Sequence, residues 1–79
     1  MREKTPKVVV TFATTSDALA MEAAAREHGI PGRIIPVPSD IDAGCGLAWA
    51  VDKCVEDSLI ESLAAHRLAH EGVFDVMMY

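Results

Sequence analysis

Residues 7–29, KVVVTFATTSDALAMEAAAREHG, set the fold class, because they contain a strand followed directly by a helix. Lys7–Ala13 is rich in β-branched and aromatic residues and has no breaker, which is typical of a short buried strand. Thr14 is followed three residues later by Asp17, the spacing of a capping box. Alanine-rich sequence then continues up to a glycine, so we expect helix one over Ser16–His28.

The rest of the chain predicts three further strands and a second helix. Pro36 cannot donate to a strand ladder, so it marks strand two as an edge strand or as its early end. Asp52 is expected to cap helix two, and Gly72 to stop it. The predicted elements are strand two over Arg33–Val37, strand three over Leu47–Val51, helix two over Lys53–His70 and strand four over Val73–Tyr79.

The order β-α-β-β-α-β predicts a ferredoxin-like α+β fold, a four-stranded antiparallel sheet with two helices on one face. A chain of 79 residues supports one core. We therefore expect a single domain over residues 7–79, preceded by a flexible N-terminus over residues 1–6. The residues expected to face the sheet are Ala18, Met21, Ala24, Ala25 and His28 from helix one, and Val55, Leu59, Leu63 and His66 from helix two.

Composition excludes several classes of function. The net charge is −5 and the basic residues are scattered, which argues against a nucleic-acid partner. No apolar run approaches the ~20 residues of a membrane span, and the start has no apolar segment for export, so we expect a cytoplasmic protein without a membrane partner. The sequence contains no glycine-rich nucleotide-binding motif, and we expect no cofactor. A small core makes a homodimer an expected supplement to stability.

Cys45 is the first candidate for chemistry, because it lies between Gly44 and Gly46 in the longest irregular segment. Glycine neighbours leave a thiol exposed and can turn backbone N–H groups toward the sulfur, which favours a thiolate or a persulfide. The alternative is that the glycines form a turn and Cys45 packs inward as a small apolar residue. The residues alone leave both interpretations open.

The other metal-ligating and nucleophilic residues are weaker candidates. Cys54 is expected in the first turn of helix two, where the helix dipole favours a thiolate, although burial as a small core residue is the favoured interpretation. It is a secondary candidate only, since an extended strand separates it from Cys45. His66 and His70 have helical spacing, but neither they nor His28 have a carboxylate or cysteine pair at ligand spacing. We expect no metal site.

Several of these residues resemble a known family. The resemblance runs from Val8 to Tyr79, and its most specific part is a Pro-x-Pro exit from strand two followed seven residues later by Cys-Gly-Leu-Ala. The matching positions are Phe12, Ala18, Glu22, Gly29-Ile30, Ile35-Pro36-Val37-Pro38, Ile41 and Cys45-Gly46-Leu47-Ala48. In this pattern the chain is similar to DUF3343, small domains described as selenium or sulfur carriers.

The resemblance implies that Cys45, and not Cys54, carries sulfur or selenium as a persulfide or selenopersulfide. It also implies donor and acceptor proteins as partners, and a carrier more than a turnover enzyme. Gly44 stands where the pattern more often has serine, which leaves only backbone donors for the sulfur. The alternative function is a non-enzymatic module that binds a small ligand or another protein, with a structural Cys45.

Overall fold

The computed structural model describes residues 3–39, 41 and 46–78. The predicted order of elements, βαββαβ, is confirmed. The described elements are β1 (Thr5–Thr11), α1 (Thr15–His28), β2 (Arg33–Pro36), β3 (Leu47–Asp52), a three-residue 3₁₀ turn (Lys53–Val55), α2 (Glu56–Ala65) and β4 (Gly72–Met78). No helix of this described part is long and apolar enough to cross a membrane.

The four strands form one sheet in the order β2-β3-β1-β4, and each neighbouring pair is antiparallel. β1 lies in the centre, where its apolar run Val8–Val10 is fully buried. β2 and β4 are the two edges. This topology confirms the ferredoxin-like α+β fold, and it confirms the edge position that Pro36 indicated for β2.

Both helices pack on the same face of the sheet, here called the helix face. Alternate residues point to opposite faces of a strand, so Val8 and Val10 of β1 lie beside Trp49 and Val51 of β3 on this side. They form the main core together with Phe12, Ala18, Met21, Ala25, Ile30, Leu59 and Leu63. Most of the predicted inward residues of the two helices are therefore confirmed.

The opposite side of the sheet, here called the open face, carries a second apolar cluster. Its buried members are Val9, Ile35, Ala48 and Ala50, which are small or medium side chains from the three strands β1 to β3. Larger residues pack around them from the edges and from the β2–β3 connection, namely Val37, Ile41, Val76 and Met78. No helix covers this face in the described part of the chain.

The beginning and end of α1 follow from local sequence signals. The hydroxyl of Thr14 accepts a hydrogen bond from the backbone N–H of Asp17 at 3.1 Å, which satisfies a donor of the first turn. Gly29 ends the helix in a left-handed conformation. β1 begins at Thr5, two residues earlier than expected, and ends at Thr11.

The prediction of helix two over Lys53–His70 was wrong at both ends. Asp52 makes no side-chain capping bond, the next three residues form the 3₁₀ turn, and α2 covers only Glu56–Ala65. Gly72 is the first residue of β4 and does not stop the helix. The helix ends earlier because Leu68 turns back onto the main core, as its N–H donates to the carbonyl of Leu63 at 3.0 Å.

The two histidines that were expected to face the sheet are both exposed, so this prediction was wrong. Their rings instead stack on each other, with centroids 4.0 Å apart and an angle of 13° between the ring planes. His28 ends α1 and His66 follows α2 directly. The contact therefore joins the C-terminal ends of the two helices outside the core.

Candidate functional site

The candidate site is the connection between β2 and β3, where the sequence places the glycine-flanked cysteine. The backbone N–H of Val37 donates to the carbonyl of Gly46 at 3.0 Å, so the two ends of the connection are hydrogen-bonded just beyond the strands. Cys45 and Gly44 lie outside the described residues. The described structure therefore gives the anchoring of this segment, and the thiol remains a prediction from sequence.

Gly46 has a backbone angle φ of +78°, a left-handed conformation that is energetically unfavourable for residues with a Cβ. Nothing lies within 4 Å of the position that a Cβ would take there. The glycine is thus explained by its backbone angle and not by crowding. The chain enters β3 at the next residue, Leu47.

The first part of the connection folds over the open face. The N–H of Ile41 donates to the carbonyl of Pro38 at 2.9 Å, which closes a tight turn. The side chain of Ile41 packs against the apolar cluster of the open face. The two prolines of the Pro-x-Pro exit have no N–H donor and a fixed φ, so they direct the chain away from the β2–β3 ladder into this turn.

A groove of about 890 Å³ lies between this turn and the far edge of the sheet. Its lining is mostly apolar and comes from β2, the connection and β4: Arg33, Ile35, Pro36, Val37, Pro38, Ile41, Phe74, Asp75, Val76, Met77 and Met78. Sequence reasoning missed this feature. The signal was that Asp75 is the only charged residue of β4, since an edge strand with one solvated face would carry several polar residues in one of its two alternating sets.

Cys54 is exposed, so the expectation that it is buried was wrong. It lies in the middle of the 3₁₀ turn, where its neighbour Val55 takes the inward position against the main core. α2 begins two residues later, at Glu56. Cys54 therefore lies outside the first turn of the α-helix, and the dipole argument for a thiolate does not apply to it.

β3 separates the two cysteine positions. Leu47 begins the strand two residues after Cys45, and Asp52 ends it two residues before Cys54. A six-residue strand spans roughly 17 Å, whereas the Cα atoms of a disulfide lie only ~6 Å apart. That the two residues are not a redox pair stays a prediction, because Cys45 lies outside the described residues.

The histidines do not form a metal site in the described residues, where no group of three metal-ligating side chains occurs. α2 ends at Ala65, so His66 and His70 do not share a helical face. The Nδ1 atom of His70 lies 2.9 Å from the carbonyl oxygen of Leu68, and His66 stacks on His28.

Lys53, next to Cys54, is held between two carboxylates. Its Nζ atom lies 2.7 Å from Asp75 Oδ1 and 2.7 Å from Glu56 Oε1. The hydrogen bond to Asp75, followed by that to Glu56, raises the pKa of Lys53 above its ordinary value of 10.5. The 3₁₀ turn is thereby tied to β4 and to the first turn of α2.

This raised pKa predicts a pH-dependent contribution to stability. Because the folded state holds the lysine proton more tightly, the contribution is fully present below pH 10.5 and is lost as the pH rises through the folded pKa. We expect the melting temperature of the native protein to exceed that of Lys53→Met at pH 8, by a margin that shrinks above pH 10.5. Thermal unfolding of both proteins at pH 8 and at a pH above 10.5 measures this margin. A margin that stays constant would contradict the raised pKa of Lys53.

The fold and the anchored connection together define a small ferredoxin-like domain with one cysteine position at the entrance to β3. A comparison with protein-family models identifies the family: residues 7–75 match the model described as "Putative Se/S carrier protein-like", and the chain belongs to this family. Searches of the curated proteins and of the solved structures gave no match.

Proposed function

We propose that this protein carries a sulfur or selenium atom on the thiol of Cys45, as a persulfide or selenopersulfide, between a donor protein and an acceptor protein. The observation that carries the proposal is the family match over residues 7–75, which includes this cysteine. We expect a carrier more than a turnover enzyme, because loading and release are both exchanges with partner proteins. A thiol carrier of this kind fits the reducing cytoplasm.

Loading is a thiol exchange in which no external oxidant is needed. The Cys45 thiolate attacks the terminal sulfur of a persulfide on the donor cysteine. The bond between Cys45 Sγ and that sulfur forms, the donor's sulfur–sulfur bond breaks, and the donor cysteine leaves as a thiolate. Release to the acceptor is the same reaction, with the acceptor thiolate attacking the outer sulfur of Cys45.

The anchoring of the connection supports this role for its cysteine. The bond from Val37 to Gly46 and the left-handed Gly46 fix the chain one residue after Cys45. With glycine on both sides, backbone N–H groups of Gly44 and Gly46 are the expected donors to the charged sulfur. Neither glycine carries a side chain that could shield the thiol from a bulky protein partner.

The test is loading by a persulfide donor, followed by mass spectrometry of the intact chain and of its peptides. Cysteine desulfurase with cysteine serves as the sulfur donor, and selenocysteine replaces cysteine for selenium. We expect one added sulfur or selenium atom on the Cys45 peptide, removed by dithiothreitol. The adduct is expected to be absent in Cys45→Ser and unchanged in Cys54→Ser, which is the matched control because Cys54 is exposed.

An equal adduct on Cys54 in the native chain would mean that the reaction follows exposure alone, and an unmodified Cys45 would remove the proposal. The second step of the test is transfer of the bound atom from the modified protein to a small thiol acceptor. If Cys45 is loaded but this transfer fails, the protein binds sulfur and is not a carrier.

A small-ligand-binding module with a structural Cys45 is the second candidate, and the groove of about 890 Å³ on the open face favours it. Its volume lies within the range of ligand sites, roughly 300–1,000 Å³. The two candidates differ in the reactivity of Cys45 toward a thiol reagent at neutral pH. The carrier predicts that Cys45 in Cys54→Ser reacts faster than Cys54 in Cys45→Ser, and the module predicts the reverse.

A further inference from the structure

The two edges of the sheet are protected very differently. β2 has four residues, among them Arg33 and Pro36, and short length, charge and proline are the usual means of preventing strand addition. β4 has seven residues, GVFDVMM, without lysine, arginine or proline. An edge of this length and composition is a template for another strand.

Exposed apolar side chains are concentrated on the same strand. Val73 is 38%, Phe74 40% and Met77 59% exposed, on a strand whose backbone pairs with β1 alone among the described residues. The other large exposed apolar residues of the described chain, Leu19 and Ile60, lie singly on the two helices. β4 therefore combines an open backbone edge with an unsatisfied apolar surface.

We propose that β4 pairs antiparallel with β4 of a second copy of this chain, about a two-fold axis through Asp75, to give a continuous eight-stranded sheet. The inference is independent of the proposed chemistry of Cys45. An axis perpendicular to the sheet keeps each residue on its own face, so a residue meets either its own copy or one an even number of positions away.

The register through Asp75 is the one that uses the whole strand. It places Val73 opposite Met77 on the helix face and Phe74 opposite Val76 on the open face, with Gly72 opposite Met78. The exposed apolar residues of one copy thus cover those of the other. A register centred on Phe74 or on Val76 pairs only five of the seven residues of β4 and leaves one end of the strand open.

Charge is the main cost of this register, and Lys53 reduces that cost. Asp75 is the only charged residue of β4 and would meet its own copy at the axis, which is unfavourable for two bare carboxylates. Each carboxylate, however, is already bound by Lys53 of its own chain at 2.7 Å. Each Lys53 also binds Glu56 of its own chain at 2.7 Å, so the two lysines weaken the repulsion between the aspartates without neutralising every carboxylate near the axis.

The interface is small. It consists of one strand from each copy, which places it below the ~1,200 Å² of a standard stable interface, and we therefore expect a dimer that dissociates at micromolar concentration. A different protein could also add a strand to this edge and would then compete with the dimer. The test must therefore show which residues of the two β4 strands lie opposite each other, and not only the mass of the complex.

Disulfide trapping reads the register directly. In a Cys45→Ser/Cys54→Ser background, residue 75 lies about 5 Å from its copy, within disulfide reach, whereas residue 77 lies roughly 14 Å from its copy. We expect Asp75→Cys to form a crosslinked dimer under mild oxidation and Met77→Cys to remain monomeric, although residue 77 is well exposed. Equal crosslinking of the two, or crosslinking of Met77→Cys alone, would overturn the proposal.

Sedimentation over a concentration series checks the dimer in the native chain. We expect Met77→Lys to weaken dimerisation at least ~10-fold, because it places an unpaired charge on the edge. Leu19→Lys is the matched control, since it makes the same change at an exposed residue of α1, and we expect no effect. A native chain that stays monomeric up to millimolar concentration, or an equal effect of both variants, would also overturn the proposal.

Discussion

Gly32→Ala is expected to lower the free energy of unfolding by about 3 kcal/mol or more. Gly32 has a φ of +118°, which residues with a Cβ rarely adopt. A Cβ at this position would lie 2.6 Å from the carbonyl oxygen of Ala50 and 2.6 Å from Val51 Cγ1, and closer still to Trp49 Nε1. Backbone strain at residue 32 and overpacking against β3 therefore both contribute to the loss of stability.

The neighbouring Gly29→Ala is the control for this prediction. Gly29 also has a left-handed backbone, with φ of +69°, but nothing lies within 4 Å of its Cβ position. We expect a loss of only ~1 kcal/mol from backbone strain there. Urea unfolding of both variants measures the difference, and equal losses would mean that the close approach of Gly32 to β3 relaxes at no cost.

Trp49 makes the Gly32 position more demanding. Its indole N–H donates to the carbonyl of Pro31 at 3.0 Å, which fixes the ring against the turn before β2. The ring is almost fully buried in the main core. A displaced indole would lose both this bond and its packing, so the turn, the tryptophan and the start of β2 form one unit.

The ends of the two helices explain what the sequence could and could not predict. α1 ends with Gly29 in the left-handed position and with Ile30 donating to the carbonyl of Ala25 at 3.0 Å. α2 ends with the same geometry, since Arg67 has φ of +51° and Leu68 donates to Leu63. A glycine in the sequence indicates this left-handed helix end, whereas an arginine does not. Only the end of α1 was therefore predicted.

Tertiary packing decided the second end. Leu68 packs against the main core beside the fully buried Leu63, and this contact is the usual companion of the motif. The apolar gain of placing Leu68 offsets the left-handed cost at Arg67. The sequence prediction took the next glycine, Gly72, as the stop of the helix, but Gly72 is the first residue of β4.

The candidate site was predictable in part. The Pro-x-Pro exit and the most specific part of the family resemblance lie in residues 36–48, whose order in the sequence is visible directly. The turn at Ile41 was not predicted. The groove was not visible, because its walls come from β2 and β4, which are adjacent neither in sequence nor in the sheet. The exposure of Cys54 was missed because a 3₁₀ turn replaces the first helical turn there.

Leu59→Ala is expected to lower the free energy of unfolding by about 3 kcal/mol, within the usual 2–5 kcal/mol for a buried leucine. Leu59 is fully buried, and α2 has only ten residues and no side-chain cap at its start. A helix this short is unstable in isolation, so it depends on the packing of its apolar side. Leu59 and Leu63 are the two buried residues that provide that packing.

Ile60→Ala is the matched control for Leu59→Ala, because it removes a similar side chain from the next residue of the same helix. Ile60 is 42% exposed, so we expect a loss below about 1 kcal/mol. Small domains have a total stability of ~0.05–0.15 kcal/mol per residue, so Leu59→Ala would remove a large share of it. Equal melting temperatures for the two variants would show that α2 does not depend on the main core, and the short helix would then need another source of stability.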